Sequence, residues 1–248
     1  MLPDVTSEVV ADLEREIHVW TTELDLAPGA IRHFERLLPP GEMQRIAKFK
    51  TPELRSRHTV VKGTLLSLIA QYTGDDAENI ELGTTELGKP YLLHDDGGRN
   101  LQFNVADSND LAIYAITKGG PIGVDLEEVI PLPDWQIMAD VCMNAFEGEW
   151  IFSLPRDRQE MAFLRLWTIK EAYLKAIGTG LSVAPSTIEV EFIQGEQYKF
   201  RRIHNQHDSI RNWKIFSFCP RPTFVAALVV PASSRELRCF CCQPERRN

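Results

Sequence analysis

Lys118-Gly119-Gly120-Pro121-Ile122-Gly123-Val124-Asp125-Leu126-Glu127 stands at the centre of this 248-residue chain and reads as a tight turn running into a strand. Side chains alternate between the two faces of a strand. Ile122, Val124 and Leu126 therefore point one way, into a core, and Gly123, Asp125 and Glu127 point the other way. Carboxylates at i and i+2 lie about 7 Å apart at their Cα atoms, close enough to share one hard cation. Magnesium suits so sparse a carboxylate set, because it completes its shell with water and substrate phosphate. The competing reading of the same pair is a solvated polar face on an edge strand.

Working outward, each side of this strand carries helices and short strands. Upstream, residues 16–24 alternate and contain β-branched side chains, which predicts a strand. Pro28, Pro39 and Pro40 punctuate the segment after it. Over 52–72 the apolar positions Leu54, Val61, Leu65, Leu68 and Tyr72 recur at helical spacing, and Gly74 closes that helix. Strands are predicted over 79–84 and 111–117. Downstream, helical stretches cover 134–153 and 156–177. Strands are predicted over 187–192, 198–203, 213–218 and 224–230, and the tail after Pro231 is expected to be polar and loose. The plan repeats. It predicts an α+β fold of two pseudo-symmetric halves, each a small antiparallel sheet packed with helices. The halves are residues 1–121 and 122–248, with the default pocket at their junction.

The helix over 161–178 supplies a third carboxylate. Ala162, Leu166, Ile169, Tyr173 and Ala176 form one apolar stripe, and Leu164, Trp167 and Leu174 form another on the opposite side. A helix apolar on both sides is buried between layers. Glu171 falls inside the second stripe, and a lone buried carboxylate is costly unless paired or bound to metal. Lys175 lies one turn on, so a plain Glu171–Lys175 pair is the alternative account.

Hydrophobic residues make up 44% of the chain and charged residues 25%, as in ordinary globular proteins. No long uncharged apolar run is present, which argues against a membrane span. The N-terminal Asp4, Glu8 and Asp12 do not resemble a signal peptide, so a cytoplasmic location is expected. A net charge of −8 argues against broad nucleic-acid binding. Five cysteines, three of them at Cys239, Cys241 and Cys242, do not make paired zinc knuckles and are expected to be reduced thiols without metal.

Read together, these residues resemble the Sfp-type 4′-phosphopantetheinyl transferases. That family has a G-V/I-D-x-E strand, then a W-x-x-K-E-A helix with a second lysine and a G-x-G-L end. This chain has Gly123-Val124-Asp125-Leu126-Glu127, then Trp167-Thr168-Ile169-Lys170-Glu171-Ala172, Lys175 and Gly178-Thr179-Gly180-Leu181. Gly88-Lys89-Pro90 and Phe103-Asn104 also match in order. The resemblance runs from about Arg45 to Val230, and the family fold of two pseudo-symmetric α+β halves agrees with the pattern above.

The resemblance implies transfer of the 4′-phosphopantetheine arm of coenzyme A to a serine of an apo acyl or peptidyl carrier protein, releasing 3′,5′-ADP. It implies that Asp125, Glu127 and Glu171 hold Mg2+, with Mn2+ as an alternative. Glu171 would also be a general base, and Lys175 would stabilise charge at the attacked phosphate, so the catalytic set is Glu171, Lys175 and Asp125. Coenzyme A would meet Lys89, Pro90, Ser108 and Lys175. Arg45 and Arg57, with Lys62 as a weaker addition, would hold its 3′-phosphate. The protein is expected to act as a monomer. Its acidic helical partner would need apolar surface, for which Trp135, Ile137, Met138, Phe146, Trp150 and Phe152 are candidates, although they could equally fill the core of the second half.

One position departs from the family pattern F-N-x-S-H-S. Asp107 takes the place of the histidine, and an anion there repels phosphate. Two other readings remain. One is a magnesium-dependent nucleotide hydrolase using the same carboxylates. The other is a coenzyme A- or carrier-binding module without catalysis, which Asp107 favours.

Overall fold

The computed structural model describes residue 13 and residues 16–93, 100–118, 120–193, 197–203, 209–233 and 236–242. Gly119 of the central turn and the N-terminal Asp4, Glu8 and Asp12 lie outside the described residues. The first half runs β1 (Glu16–Glu23), α1 (Pro28–Leu37), α2 (Pro40–Ile46), α3 (Pro52–Thr73), β2 (Leu82–Thr84), β3 (Pro90–Leu92), β4 (Leu101–Ser108) and β5 (Leu111–Lys118). The second runs β6 (Gly123–Glu128), α4 (Trp135–Cys142), α5 (Ala145–Ser153), α6 (Arg156–Ile177), β7 (Glu189–Ile193), β8 (Gln197–Arg202), β9 (Trp213–Phe218), β10 (Phe224–Pro231) and β11 (Glu236–Cys242).

The fold is α+β, layered helix–sheet–sheet–helix. The first sheet has the order β11-β1-β5-β4 and the second β6-β10-β9, while β2-β3 and β7-β8 form two small ribbons. The two sheets meet through Ile17, Val19, Ile113 and Ala115 from one and Val124, Leu126, Ala226 and Leu228 from the other. The outer face of the first sheet packs Trp20, Phe103 and Tyr114 against Val61, Leu65 and Leu68 of α3. The outer face of the second packs Ala227 and Val229 against Ile169, Ala172 and Ala176 of α6. Val124 is fully buried; burying a side chain of that kind contributes about 1.5–3 kcal/mol.

Local sequence explains the two long helices. Thr51 caps α3, its hydroxyl accepting from the Leu54 amide at 3.2 Å, and Pro52 occupies the first turn where no amide is needed. Both α3 and α6 end at a glycine in the left-handed region, Gly74 at φ 77° and Gly178 at φ 73°, where a side chain would be strained.

The structure revises several sequence-based expectations. The strands on either side of residues 118–121 belong to different sheets: β5 lies in the first and β6 pairs with β10 in the second. Over Glu236–Cys242 the tail is not loose but forms a strand. β11 returns to the first half and pairs in parallel with β1, from Glu16–Glu236 to Thr22–Cys242. The helical stretch over 134–153 divides at Asn144, which caps α5 in a reciprocal box with Glu147. The predicted strand over 79–84 is shortened to Leu82–Thr84, behind a helical turn at Ala77–Asn79. The sequence pattern does not announce strands β3 and β4, nor helices α1 and α2, whose prolines read as breaks rather than as helix starts.

Candidate active site

Strand β6 is held between the two halves by side chains that bond its backbone. Asn104 Oδ1 accepts from the Val124 amide at 2.8 Å, and Ser108 Oγ accepts from the Glu128 amide at 3.1 Å. From the far side, Lys89 Nζ donates to the carbonyls of Ile122 at 3.0 Å and Ala176 at 2.9 Å. Burial pushes the Lys89 ammonium down to about 8. Lys89 and Pro90 also line a cleft of about 360 Å³ with Tyr91, Gln102, Pro121 and Gly178, where the halves meet.

The outer face of β6 packs against α6 at one point with no spare room. A Cβ at Gly123 would overlap the Ala172 carbonyl and the Ala176 amide. Only glycine fits there, and the close approach sets Asp125 and Glu127 beside the Trp167–Lys175 stretch of the helix. Trp167 Nε1 donates to Glu127 Oε1 at 3.0 Å. Lys175 Nζ donates to Asp125 Oδ1 at 2.7 Å, so the helical Glu171–Lys175 pair gives way to a pair that bridges helix and strand.

The electrostatics follow from crowding three acids. Burial raises the Asp125 carboxyl above the usual 3.8, against the lowering effect of Lys175. Burial and then the charge of Asp125 raise Glu127. Burial, and then Asp125, raise Glu171, and Glu127 adds to that effect. Asp125 Oδ2 and Glu171 Oε1 are buried with no hydrogen-bond partner among the described residues. Buried polar atoms of this kind are costly, and a hard cation with oxygen ligands would satisfy both. The acids are not set out as a ready cage: among the described residues no group of three His, Cys, Asp or Glu side chains is arranged to hold a metal as it stands.

The other sequence-predicted site residues are spread along the first half. Arg57 is engaged by Asp25, through Nε at 3.1 Å and Nη2 at 3.2 Å, and by Asn109 at 3.0 Å. Arg45 is exposed and lies 3.4 Å from Glu42, which is also 3.9 Å from Lys62. Asp107 leaves β4 on the face opposite Asn104 and Ser108 and is exposed. Of the apolar candidates for a partner surface, Trp135 is buried, while Ile137 at 66% and Phe152 at 52% exposure are open, together with Met138 and Phe146.

Two family profiles match the chain. One, described as the 4′-phosphopantetheinyl transferase superfamily, covers residues 121–229, and another, 4′-phosphopantetheinyl transferase, N-terminal, covers 27–118. The 4′-phosphopantetheinyl transferase HetI of Nostoc sp. is 31% identical over 218 residues, 88% of this chain and 89% of that protein. The chain belongs to the 4′-phosphopantetheinyl transferase superfamily. The transferase is also 29% identical to the 4′-phosphopantetheinyl transferase Sfp of Bacillus subtilis over 182 residues, 66% of this chain and 76% of that one. The human L-aminoadipate-semialdehyde dehydrogenase-phosphopantetheinyl transferase is 27% identical over 194 residues, 72% of this chain and 62% of that one. Family membership carries phosphopantetheinyl transfer as the activity of this transferase. Among its described residues no helix is long and apolar enough to cross a membrane.

Sequence reasoning missed the positioning groups of the site. Trp167 reads as one more apolar residue on α6, yet its indole holds Glu127. The available signal was its place four residues before Glu171, on the same face of the helix. Lys170, which enters the sequence reading only as part of the helix motif, is fully buried, bonded to Glu147 and to the Cys142 carbonyl.

Proposed function

We propose that the protein transfers the 4′-phosphopantetheine moiety of coenzyme A to a serine hydroxyl of an apo acyl or peptidyl carrier protein, releasing 3′,5′-ADP, with Mg2+ held by Asp125, Glu127 and Glu171. The observation that carries this reading is the pair of buried, unpartnered carboxylate oxygens on Asp125 and Glu171, with Lys175 bonded to the same Asp125. When bound, the metal supplies Lewis acidity and neutralises pyrophosphate charge; Mn2+ has the same preference for oxygen ligands.

The chain's own residues do the rest. Glu171, with its proton affinity raised by burial and by Asp125, takes the proton of the carrier serine. The serine oxygen then bonds to the β-phosphorus as the bridging oxygen of 3′,5′-ADP departs. Lys175, on a flexible stem at the end of α6, meets the negative charge that develops on the phosphate. Lys89 and Pro90 shape the coenzyme A side of the junction, with Ser108 fixing β6 from the opposite edge. Arg45 and Arg57 offer charge for the 3′-phosphate. In this reading residues 1–121 bind coenzyme A, residues 122–248 hold the metal and the catalytic groups, and both come from one monomer. The carrier docks on exposed apolar side chains of α4 such as Ile137 and Met138.

Intact mass spectrometry tests the reaction. Apo carrier proteins incubated with coenzyme A and Mg2+ gain the mass of phosphopantetheine. Coenzyme A cleaved without carrier modification would identify a hydrolase, and coenzyme A bound without turnover would identify a binding module.

A further inference from the structure

Lys175 and Asp125 differ in what they can do about their contact. Asp125 is short, lies on a strand pinned at three backbone positions, and has a side chain only 8% exposed. Lys175 has a long stem on the last turn of a helix, and its side chain is 29% exposed. The lysine can swing away; the aspartate cannot follow it. Lys175 is also the cation that acts on all three carboxylates, lowering Asp125, Glu127 and Glu171 alike.

We infer that Lys175 is a placeholder counter-ion that competes with the divalent cation for Asp125, so that an incoming phosphate, by drawing Lys175 away, opens the carboxylates to metal. The inference rests on the metal site proposed above and deepens it. An ammonium 2.7 Å from Asp125 Oδ1 and a dication on the same carboxylate repel each other strongly at that range. A phosphate gives the ammonium another anion to pair with. The two ligands therefore bind with positive coupling, and by linkage each strengthens the other equally. Lys175 is in this respect a positioning residue as well as a catalytic one.

The test measures metal binding without turnover. Free Mn2+ is followed by electron paramagnetic resonance as it is titrated into the full chain, with and without 3′,5′-ADP, for wild type, Lys175→Met, Lys175→Arg and Asp125→Asn. Without nucleotide, Lys175→Met binds Mn2+ about tenfold more tightly than wild type, a figure discounted for the partial exposure of the pair, and added nucleotide strengthens its binding by a smaller factor. Lys175→Arg, which keeps a cation on Asp125, stays close to wild type. A Met variant that binds no more tightly than wild type, or an Arg variant that binds as tightly as the Met variant, overturns the competition. If Asp125→Asn binds Mn2+ as well as wild type, the carboxylate metal site itself fails, and the competition with it.

Discussion

The indole of Trp167 holds Glu127 at 3.0 Å, joining the helix that carries Glu171 directly to the strand that carries Asp125. That bond lowers the Glu127 carboxyl against the raising effects of burial and of Asp125. Trp167→Phe keeps most of the packing and removes the donor. A neutral hydrogen bond is worth about 0.5–1.5 kcal/mol net, and one to a charged group about 1.5–3. Metal affinity, read by Mn2+ titration in the presence of nucleotide, is expected to weaken roughly tenfold while the fold remains intact by circular dichroism.

The contact at Gly123 admits no substituent. In Gly123→Ala the new methyl meets backbone atoms of Ala172 and Ala176 rather than a side chain that could rotate aside. Overpacking of this kind costs about 1–3 kcal/mol or more. Urea unfolding is expected to show a loss at or above the top of that range, and β6 and α6 are expected to separate enough to abolish carrier modification.

Three raised carboxyls make a pH signature. In the folded chain Glu171 keeps its proton to a higher pH than the usual 4.5. Its contribution to stability is therefore full below 4.5 and is lost as pH rises through the folded value. Glu171→Gln has no such titration. With a chelator present, the variant is expected to be more stable than wild type at pH 8, and the advantage is expected to shrink toward pH 4.5. Thermal melts across that range check it; a difference independent of pH would show that Glu171 is not held in an unfavourable charged state.

The buried Lys170–Glu147 pair is expected to matter for folding rather than for chemistry. Glu147 also accepts from the amides of Val190 and Asn144, at 2.8 and 3.1 Å. Lys170→Met strands that carboxylate without its cation, and breaking a buried pair typically costs about 3–5 kcal/mol. Denaturant melts are expected to show a loss of this size, with little change in kcat per folded molecule.

The second half is more legible than the first. Val124 and Leu126 alternate with Asp125 and Glu127, and the doubly apolar helix around Glu171 is long, so period and length agree on both elements. Helices α1 and α2 are hidden because Pro28 and Pro40 stand at their first turns, where proline initiates as readily as it breaks. Within the site, the carboxylates can be found by type and spacing. The direction of Lys175 cannot, because its choice of Asp125 over Glu171 depends on how closely β6 meets α6. Arg57 shows the same limit: the family resemblance offers it to the 3′-phosphate, while its partners Asp25 and Asn109 come from distant segments.

The parallel pairing of β1 with β11 has a consequence for synthesis of the chain. Glu16 finds Glu236 as its sheet neighbour, so β1 leaves the ribosome well before the strand that covers its edge. At roughly 5–20 residues per second, the nascent chain spends ten seconds or more with one edge of β1 unpaired. Until residue 242 emerges, that edge is open to strands of other molecules, and Trp20 lacks the Phe240 ring that stacks on it at 4.4 Å. Slowing translation between the codons for β10 and β11 should therefore increase aggregation of this protein rather than relieve it.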